Sequence, residues 1–339
     1  MCPSGGVRAV QPWPDPAEPT VAAAQRTKRP GPSSGMANTQ VPALTPSGEG
    51  PKWSRVRKSV ILAAGRGTRL RPATKAQPKE MLPVGRQPVI GHVRDELALF
   101  GVDSILIVTG RDKRAIEDHF DGTDDEDTNG PRIFYVRQSA PKGTGDAIAI
   151  AEDYAGGEPF IVALGDTIMG VDPREDLLHR MERAFIDLRA DVAIAVQAVP
   201  PDAVSRYGIV APKVPLPNDG VGAVEPFVVS DLVEKPALDE APSRLAIAAR
   251  YIFSPAIFDY IRRTPPAANG ELQSTDAMRL LLEDGGTICC IPARPGQERH
   301  DVGNFENYYE AFITFALEDE ELGPKVKRLV SERLREGPH

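Results

Sequence analysis

An apolar run that breaks into a glycine turn constrains this chain more than any other feature. Val60-Ile61-Leu62-Ala63-Ala64 leads into Gly65-Arg66-Gly67-Thr68-Arg69-Leu70, and Thr74-Lys75-Ala76-Gln77-Pro78-Lys79-Glu80-Met81-Leu82-Pro83 follows shortly after. A strand that feeds such a turn exposes backbone amides that can face an anion, and Arg69 and Lys79 add fixed cations downstream. These are the parts of a triphosphate cradle. Phosphoryl and nucleotidyl transfer need positioning and charge neutralisation more than covalent chemistry by the protein, and a close backbone, a guanidinium and an ammonium supply both.

Two familiar glycine loops are excluded. A Walker-type loop needs Gly-Lys-Ser or Gly-Lys-Thr after a four-residue spacer, whereas Gly65-Arg66-Gly67-Thr68-Arg69 stands here. The dinucleotide fingerprint needs a third glycine where Leu70 stands and an isolated acidic residue after the second strand, where Val108-Thr109-Gly110-Arg111 is found. A dehydrogenase is thereby set aside.

From Arg55 onward short β-rich runs alternate with helical stretches. Ser59 to Ala64, Ser104 to Thr109, Ile133 to Val136, Phe160 to Leu164 and Val192 to Ala198 read as strands. Val93 to Phe100, Asp146 to Tyr154 and Arg174 to Leu188 read as helices between them. The pattern predicts an α/β fold, a Rossmann-like and mostly parallel sheet with helices on both faces, with ligands at the carboxyl ends of the strands. After Gly208 the texture shifts to strands at 208–211, 221–233 and 246–253, then helices at 256–263 and 274–284. The expected organisation is a nucleotide-binding half over about 53–200, a sugar-binding half over about 201–322, and a C-terminal tail at 323–339.

Residues 1–52 hold ten of the 33 prolines among Gly, Ser, Ala and Thr, and such a segment cannot offset its ordering entropy by burial, so disorder is expected there. Met36 is a second candidate start. The acidic stretch from Asp121 to Gly130 reads as a solvated loop. A net charge of −8 without a basic stripe argues against nucleic acid, and no apolar stretch approaches a membrane span. Cys289 and Cys290 lie side by side in an apolar strand and read as core filling, which places the chain in a reducing, cytoplasmic compartment.

Further candidate residues stand at strand ends. Asp166 follows the strand at 160–164, and Asp301 follows the strand at 287–292 and a short polar loop. Either alone is as readily a turn cap; with the cradle upstream, the two make a plausible clamp for one hydrated magnesium ion. Glu234-Lys235-Pro236 presents a carboxylate and an ammonium together, with Pro236 biasing Lys235 towards an extended backbone. Glu234 can accept from hydroxyls and Lys235 can pair with a phosphate, although an ordinary solvated pair before a turn has the same spelling. The Gln138 amide can donate and accept at once, as a pyrimidine edge requires, and Gly143 lets the backbone approach a ring. A lone histidine beside an aspartate, here His300, reads as a hydrogen-bonding neighbour of a metal ligand.

Taken together these motifs resemble sugar-1-phosphate nucleotidylyltransferases over roughly Lys58 to Phe315, and the segment Thr74 to Pro83 is similar to the bacterial UTP-glucose-1-phosphate uridylyltransferase branch. The resemblance implies the nucleotide-diphospho-sugar transferase fold, UTP and glucose 1-phosphate as substrates, Mg2+ as cofactor and a homo-oligomer. Residue by residue it implies Arg69, Lys79 and Lys235 in catalysis and Asp166 and Asp301 as magnesium ligands. It places Ala63, Ala64, Gly65, Gly67, Thr68, Glu80, Gln138 and Gly143 at the nucleotide, and Gly208, Glu234 and Lys235 at the sugar phosphate. Two departures bear on sugar and base choice. The insertion after His119-Phe120 is short, and Gly165 stands before Asp166 where the uridylyl branch favours proline, as in the thymidylyl branch. Glucose-1-phosphate thymidylyltransferase, or a regulatory paralogue that binds nucleotide sugars without turnover, are the alternatives.

Overall fold

The computed structural model describes residues 52–121, 130–172 and 176–336. The proline-rich extension, apart from Lys52, and the interior of the acidic stretch lie outside the described residues. Thirteen strands are described: β1 (Lys58–Ala63), β2 (Pro83–Val84), β3 (Gln87–Pro88), β4 (Ser104–Thr109), β5 (Arg132–Arg137), β6 (Phe160–Leu164), β7 (Thr167–Met169), β8 (Val192–Ala198), β9 (Gly208–Pro212), β10 (Phe227–Glu234), β11 (Leu245–Phe253), β12 (Ile288–Pro292) and β13 (Arg299–Asp301). The helices among them are α1 (Val89–Phe100), α2 (Arg114–Asp121), α3 (Thr144–Ala149), α4 (Glu152–Ala155), α5 (Leu177–Asp187), α6 (Ile257–Arg263), α7 (Ser274–Glu283), α8 (Phe305–Glu318) and α9 (Gly323–Glu336).

Nine of these strands form one sheet in the order β5-β4-β1-β6-β11-β8-β12-β10-β9. Strand alternation sorts β1 between two layers: Val60 joins a cluster with α3, α6 and α7, while Ile61 and Ala63 join one with α1 and α5. Helices therefore cover both faces, as the βαβ pattern requires. β11 is buried along its whole length, which its continuous apolar run Leu245-Ala246-Ile247-Ala248-Ala249 foreshadows.

The sheet is mixed, and this corrects the expectation of a mostly parallel one. β5, β4, β1 and β6 run parallel, as do β8 and β12. The pairings β6–β11, β11–β8, β12–β10 and β10–β9 are antiparallel. A parallel neighbour needs a long crossover, usually a helix. Between β8 and β11 the chain has strands and short 3₁₀ helices but no α-helix, so its strands return antiparallel. The terminal segment read as a tail forms α9, next to α8. Among the described residues no helix is long and apolar enough to cross a membrane.

Three local features position the site. Helix α1 ends at Gly101, whose left-handed φ of 89° lets its N–H reach the carbonyls of Leu97 and Ala98. Its inward face carries Val93 and Leu97, and with them the buried Glu96. The short strands β7 and β13, far apart in the chain, pair antiparallel with Thr167 opposite Asp301, and Val302 N–H donates to the Asp166 carbonyl at 2.8 Å. Helix α8 starts directly afterwards, capped by Asn304, whose side chain accepts from the Asn307 N–H at 2.9 Å.

Candidate active site

A cleft of about 810 Å³ opens over the carboxyl ends of β1 and β6 and the start of β11. Its size suits a nucleotide or nucleotide sugar. One wall is the glycine turn, with Gly67 at φ 61° and its carbonyl accepting from the Thr74 hydroxyl at 2.7 Å. Gly65, Gly67 and Thr68 line the cleft, and Arg69 lines it as an exposed guanidinium. Ala64 lines it as well, but Ala63 does not: it is the last residue of β1, and alternation turns its side chain into the core beside Ile61. Any part of Ala63 in nucleotide binding would therefore fall to its backbone, while its neighbours Leu62 and Ala64 line the cleft.

Lys79, Asp166 and Asp301 meet at the cleft floor. Lys79 Nζ forms an ion pair with Asp166. Burial pulls the Lys79 ammonium down, but the Asp166 and Glu80 carboxylates outweigh it and leave the group raised. Burial likewise pushes Asp166 up, yet the Lys79 ammonium brings it below the usual carboxylate range. Asp301 has the opposite balance: burial, and then the Asp166 charge, push it up to about 6. Gly303 leaves room for that carboxylate, since a Cβ there would stand 3.0 Å from Asp301 Oδ1.

Glu80 is almost wholly buried at the cleft edge, with its Oε2 held by Lys113 Nζ at 2.5 Å. Burial raises its pKa and lowers that of Lys113. The carboxylate thus has a protein partner and braces the Lys79 segment from below.

Gly208, Glu234 and Lys235 line the same cleft. Gly208 pairs with Glu234 across β9 and β10, and a Cβ on it would stand 3.2 Å from Glu234 Oε2 and 3.0 Å from Ile247. Glu234 accepts from the Thr275 hydroxyl at 3.1 Å and lies 3.2 Å from Lys235 Nζ. The extended backbone expected at Lys235 is not found. Its φ is 47°, in the left-handed region, while its N–H donates to the Tyr207 carbonyl at 3.1 Å. Successive residues of an extended strand face opposite sides, so this break in conformation is what lets Glu234 and Lys235 both line the cleft.

Gln138, also in the cleft lining, is buried, and its backbone N–H donates to the Thr109 carbonyl at 2.8 Å. Gly143 has φ 100°, and a Cβ there would lie 2.3 Å from the Leu272 carbonyl oxygen. Gly145 N–H donates to that same oxygen at 2.8 Å, and Leu272 N–H donates to the Lys142 carbonyl at 2.7 Å, so the segment is stapled to the start of α7. Arg137 turns outward to Glu117 at 3.2 Å.

Three residues escaped the sequence reading: Arg299, Arg250 and Asp146. Arg299 lines the cleft, with its guanidinium 3.8 Å from the Tyr207 ring centre and bonded to the Ile247 carbonyl at 2.8 Å. Its position two residues before Asp301 in a strand was the available signal, because such residues share a face. His300, between them in β13, packs edge-on against Phe315 of α8 at 5.5 Å, which makes it a packing residue. Arg250 is fully buried and bonds to Glu96 and to the Thr167 carbonyl, one residue beyond Asp166. Asp146 accepts from the Gln138 amide.

Gly165 also has a packing explanation. Its N–H donates to the Leu62 carbonyl at 2.9 Å, and a Cβ would lie 3.1 Å from the Ile61 side chain. Close approach to β1 thus accounts for the residue without reference to the base.

The family model for nucleotidyl transferases matches residues 58–317. UTP–glucose-1-phosphate uridylyltransferase of Streptococcus pneumoniae serotype 4 is 39% identical over 297 residues, 81% of this chain and 93% of that protein. A crystal structure of UDP-glucose pyrophosphorylase complexed with UDP-glucose superimposes with a TM-score of 0.68 at 33% identity, covering 77% of this chain and 98% of that one. UTP-bound UGPase from Acinetobacter baumannii gives a TM-score of 0.72 at 31% identity, covering 82% and 99%. On the extent of the match and the cleft it encloses, the chain belongs to the nucleotidyl transferase family.

Proposed function

We propose that the protein transfers uridylyl from UTP to glucose 1-phosphate, giving UDP-glucose and pyrophosphate. The observation that carries this reading is that the glycine turn, the Lys79–Asp166–Asp301 floor, the Gln138 segment and the Glu234–Lys235 pair all open on one cleft. Relatives named for the same activity support it.

Two facing carboxylates at the floor, one of them disfavoured by the charge of the other, fit a hard divalent cation with oxygen ligands. Asp166 and Asp301 would hold magnesium there, with water and substrate phosphates completing its oxygen ligands. When bound there, magnesium would neutralise charge on the phosphates.

The chain's own residues do the rest. The turn at Gly65 to Thr68 offers backbone to the triphosphate, and Arg69 and Lys79 draw its charge towards the leaving pyrophosphate. Lys235 holds the sugar phosphate, and Glu234 and Gly208 receive the hexose. An oxygen of the sugar phosphate then bonds to the α-phosphorus in line, and the bond from that phosphorus to the bridging oxygen of the pyrophosphate breaks. The attacking phosphate is ionised near neutrality and needs no general base.

A matrix of nucleoside triphosphates against sugar 1-phosphates, read by pyrophosphate release, tests the assignment. UTP with glucose 1-phosphate is expected to lead; dTTP clearly ahead of UTP would move the protein to the thymidylyl branch, and no turnover with any pair would make it a binding paralogue.

A further inference from the structure

Gln138 cannot present both faces of its amide to a base. Its Nε2 lies 2.7 Å from Asp146 Oδ2 and 3.4 Å from the Gly143 carbonyl oxygen. Both partners are acceptors, so the NH2 group must face them, and the orientation of the amide follows from its surroundings. The two amide hydrogens are spent inside the protein. What the buried side chain has left for a ligand in the cleft is the oxygen Oε1, which only accepts.

We infer that Asp146 is a positioning residue for base selection: by holding the Gln138 amide in one orientation it makes the pocket accept a pyrimidine with a hydrogen on N3 and reject one without. Uracil carries that hydrogen. Cytosine has a lone pair at the same position, which would oppose the lone pairs of Oε1. A site that offers a single fixed acceptor discriminates strongly, because the wrong base leaves two buried acceptors facing each other. Thymine shares the uracil edge, so Asp146 separates uracil from cytosine and leaves the choice between uracil and thymine to the space around C5.

The local fold supports the assignment. Asp146 lies in the first turn of α3, where a carboxylate is favoured by the helix N-terminus. Lys142 and Gly145 are both bonded to Leu272, two residues before α7, so the orienting carboxylate and the Gly143 carbonyl are carried on a braced segment. The Gln138 backbone is fixed separately by the Thr109 carbonyl. Amide and clamp are therefore both held by the framework.

The inference rests on Gln138 reading the base, and the test keeps the two apart. Catalytic efficiencies for UTP, CTP and dTTP with glucose 1-phosphate are compared in the wild type, Asp146→Asn, Asp146→Ser and Gln138→Leu, with thermal melting of each. An Asn or Ser at 146 can donate as well as accept, so the Gln138 amide is released to turn over. The UTP:CTP ratio should narrow at least tenfold in both Asp146 variants, with CTP use rising, while the UTP:dTTP ratio stays at the wild-type value. General loosening of the pocket would instead lower all three nucleotides together, and that result would overturn the inference. If Gln138→Leu collapses the UTP:CTP ratio while both Asp146 variants retain it, Gln138 reads the base without help from Asp146. If Gln138→Leu itself leaves the ratio unchanged, the base-pocket reading falls and this inference with it.

Discussion

Replacing Arg250 by Met should expose how the site is held from behind. The Arg250 side chain is wholly buried in β11, next to Ala249, whose φ of 61° marks a break in the β11–β8 register. Its guanidinium donates to Glu96 at 2.6 and 3.0 Å, to the Thr167 carbonyl at 2.9 Å and to the Ala249 carbonyl at 3.1 Å. Met fills a similar volume but leaves Glu96, on α1, as a buried carboxylate without its cation. Breaking a buried pair in this way costs about 3–5 kcal/mol, and two orphaned carbonyls push the value towards the upper end. At roughly 2–3 °C per kcal/mol for a chain of this size, the melting temperature should fall by about 6–15 °C. Removing both charges in Glu96→Met/Arg250→Met should recover at least half of the loss, because no uncompensated charge remains. The Thr167 carbonyl stays without its donor in the double variant, so turnover should drop even where the fold is regained. Urea denaturation of the wild type, both single variants and the double measures the coupling. A cost below about 1 kcal/mol for Arg250→Met, or a double variant less stable than the sum of the singles, would refute the reasoning.

Asp166→Asn and Asp301→Asn should each remove most turnover with the fold retained, since each removes a carboxylate at the cleft floor, and Asp166→Asn, which leaves Lys79 without its partner, should also melt lower; near-wild-type rates with unchanged magnesium dependence would count against the metal assignment. Lys235→Ala, at a largely exposed side chain, should leave stability alone and raise the Michaelis constant for glucose 1-phosphate about tenfold or more. A matching loss of UTP binding measured without sugar would place Lys235 on the other substrate. Asp301 titrates near 6 because burial and the Asp166 charge disfavour its anion. Its folded value lies above its unfolded one, so its contribution to stability is complete below about pH 4 and is lost as pH rises through about 6. Metal-free protein should show that loss in melting temperature, and Asp301→Asn should abolish it. Over the same range Mn2+ affinity, measured calorimetrically without nucleotide, should rise about tenfold per pH unit below the titration point, because the ion must displace the proton; equal affinity at pH 5.2 and 7.5 would contradict it.

Much of the site is written locally in the chain. The strand and glycine turn at 60–70, the carboxylates at 166 and 301 just beyond strands, and the Glu234-Lys235 pair each declare their chemistry through neighbours within a few residues. Helices on both faces also follow from local periodicity. Strand direction did not follow, because it depends on which strands pair and what connects them; the helix-free stretch between β8 and β11 returns antiparallel and makes the sheet mixed. Ala63 went to the core because alternation, and not motif membership, decides which side chain of a strand meets the ligand. Lys235 took a left-handed backbone because pairing with Tyr207 and the need to face the cleft outweighed the bias from Pro236. The pairs Lys79–Asp166, Glu80–Lys113 and Glu96–Arg250 join residues 87, 33 and 154 positions apart. A charged residue in the sequence has no declared partner and reads as surface; only folding supplies the opposite charge and the low-dielectric setting in which the pair, and not either residue, determines what the site can hold.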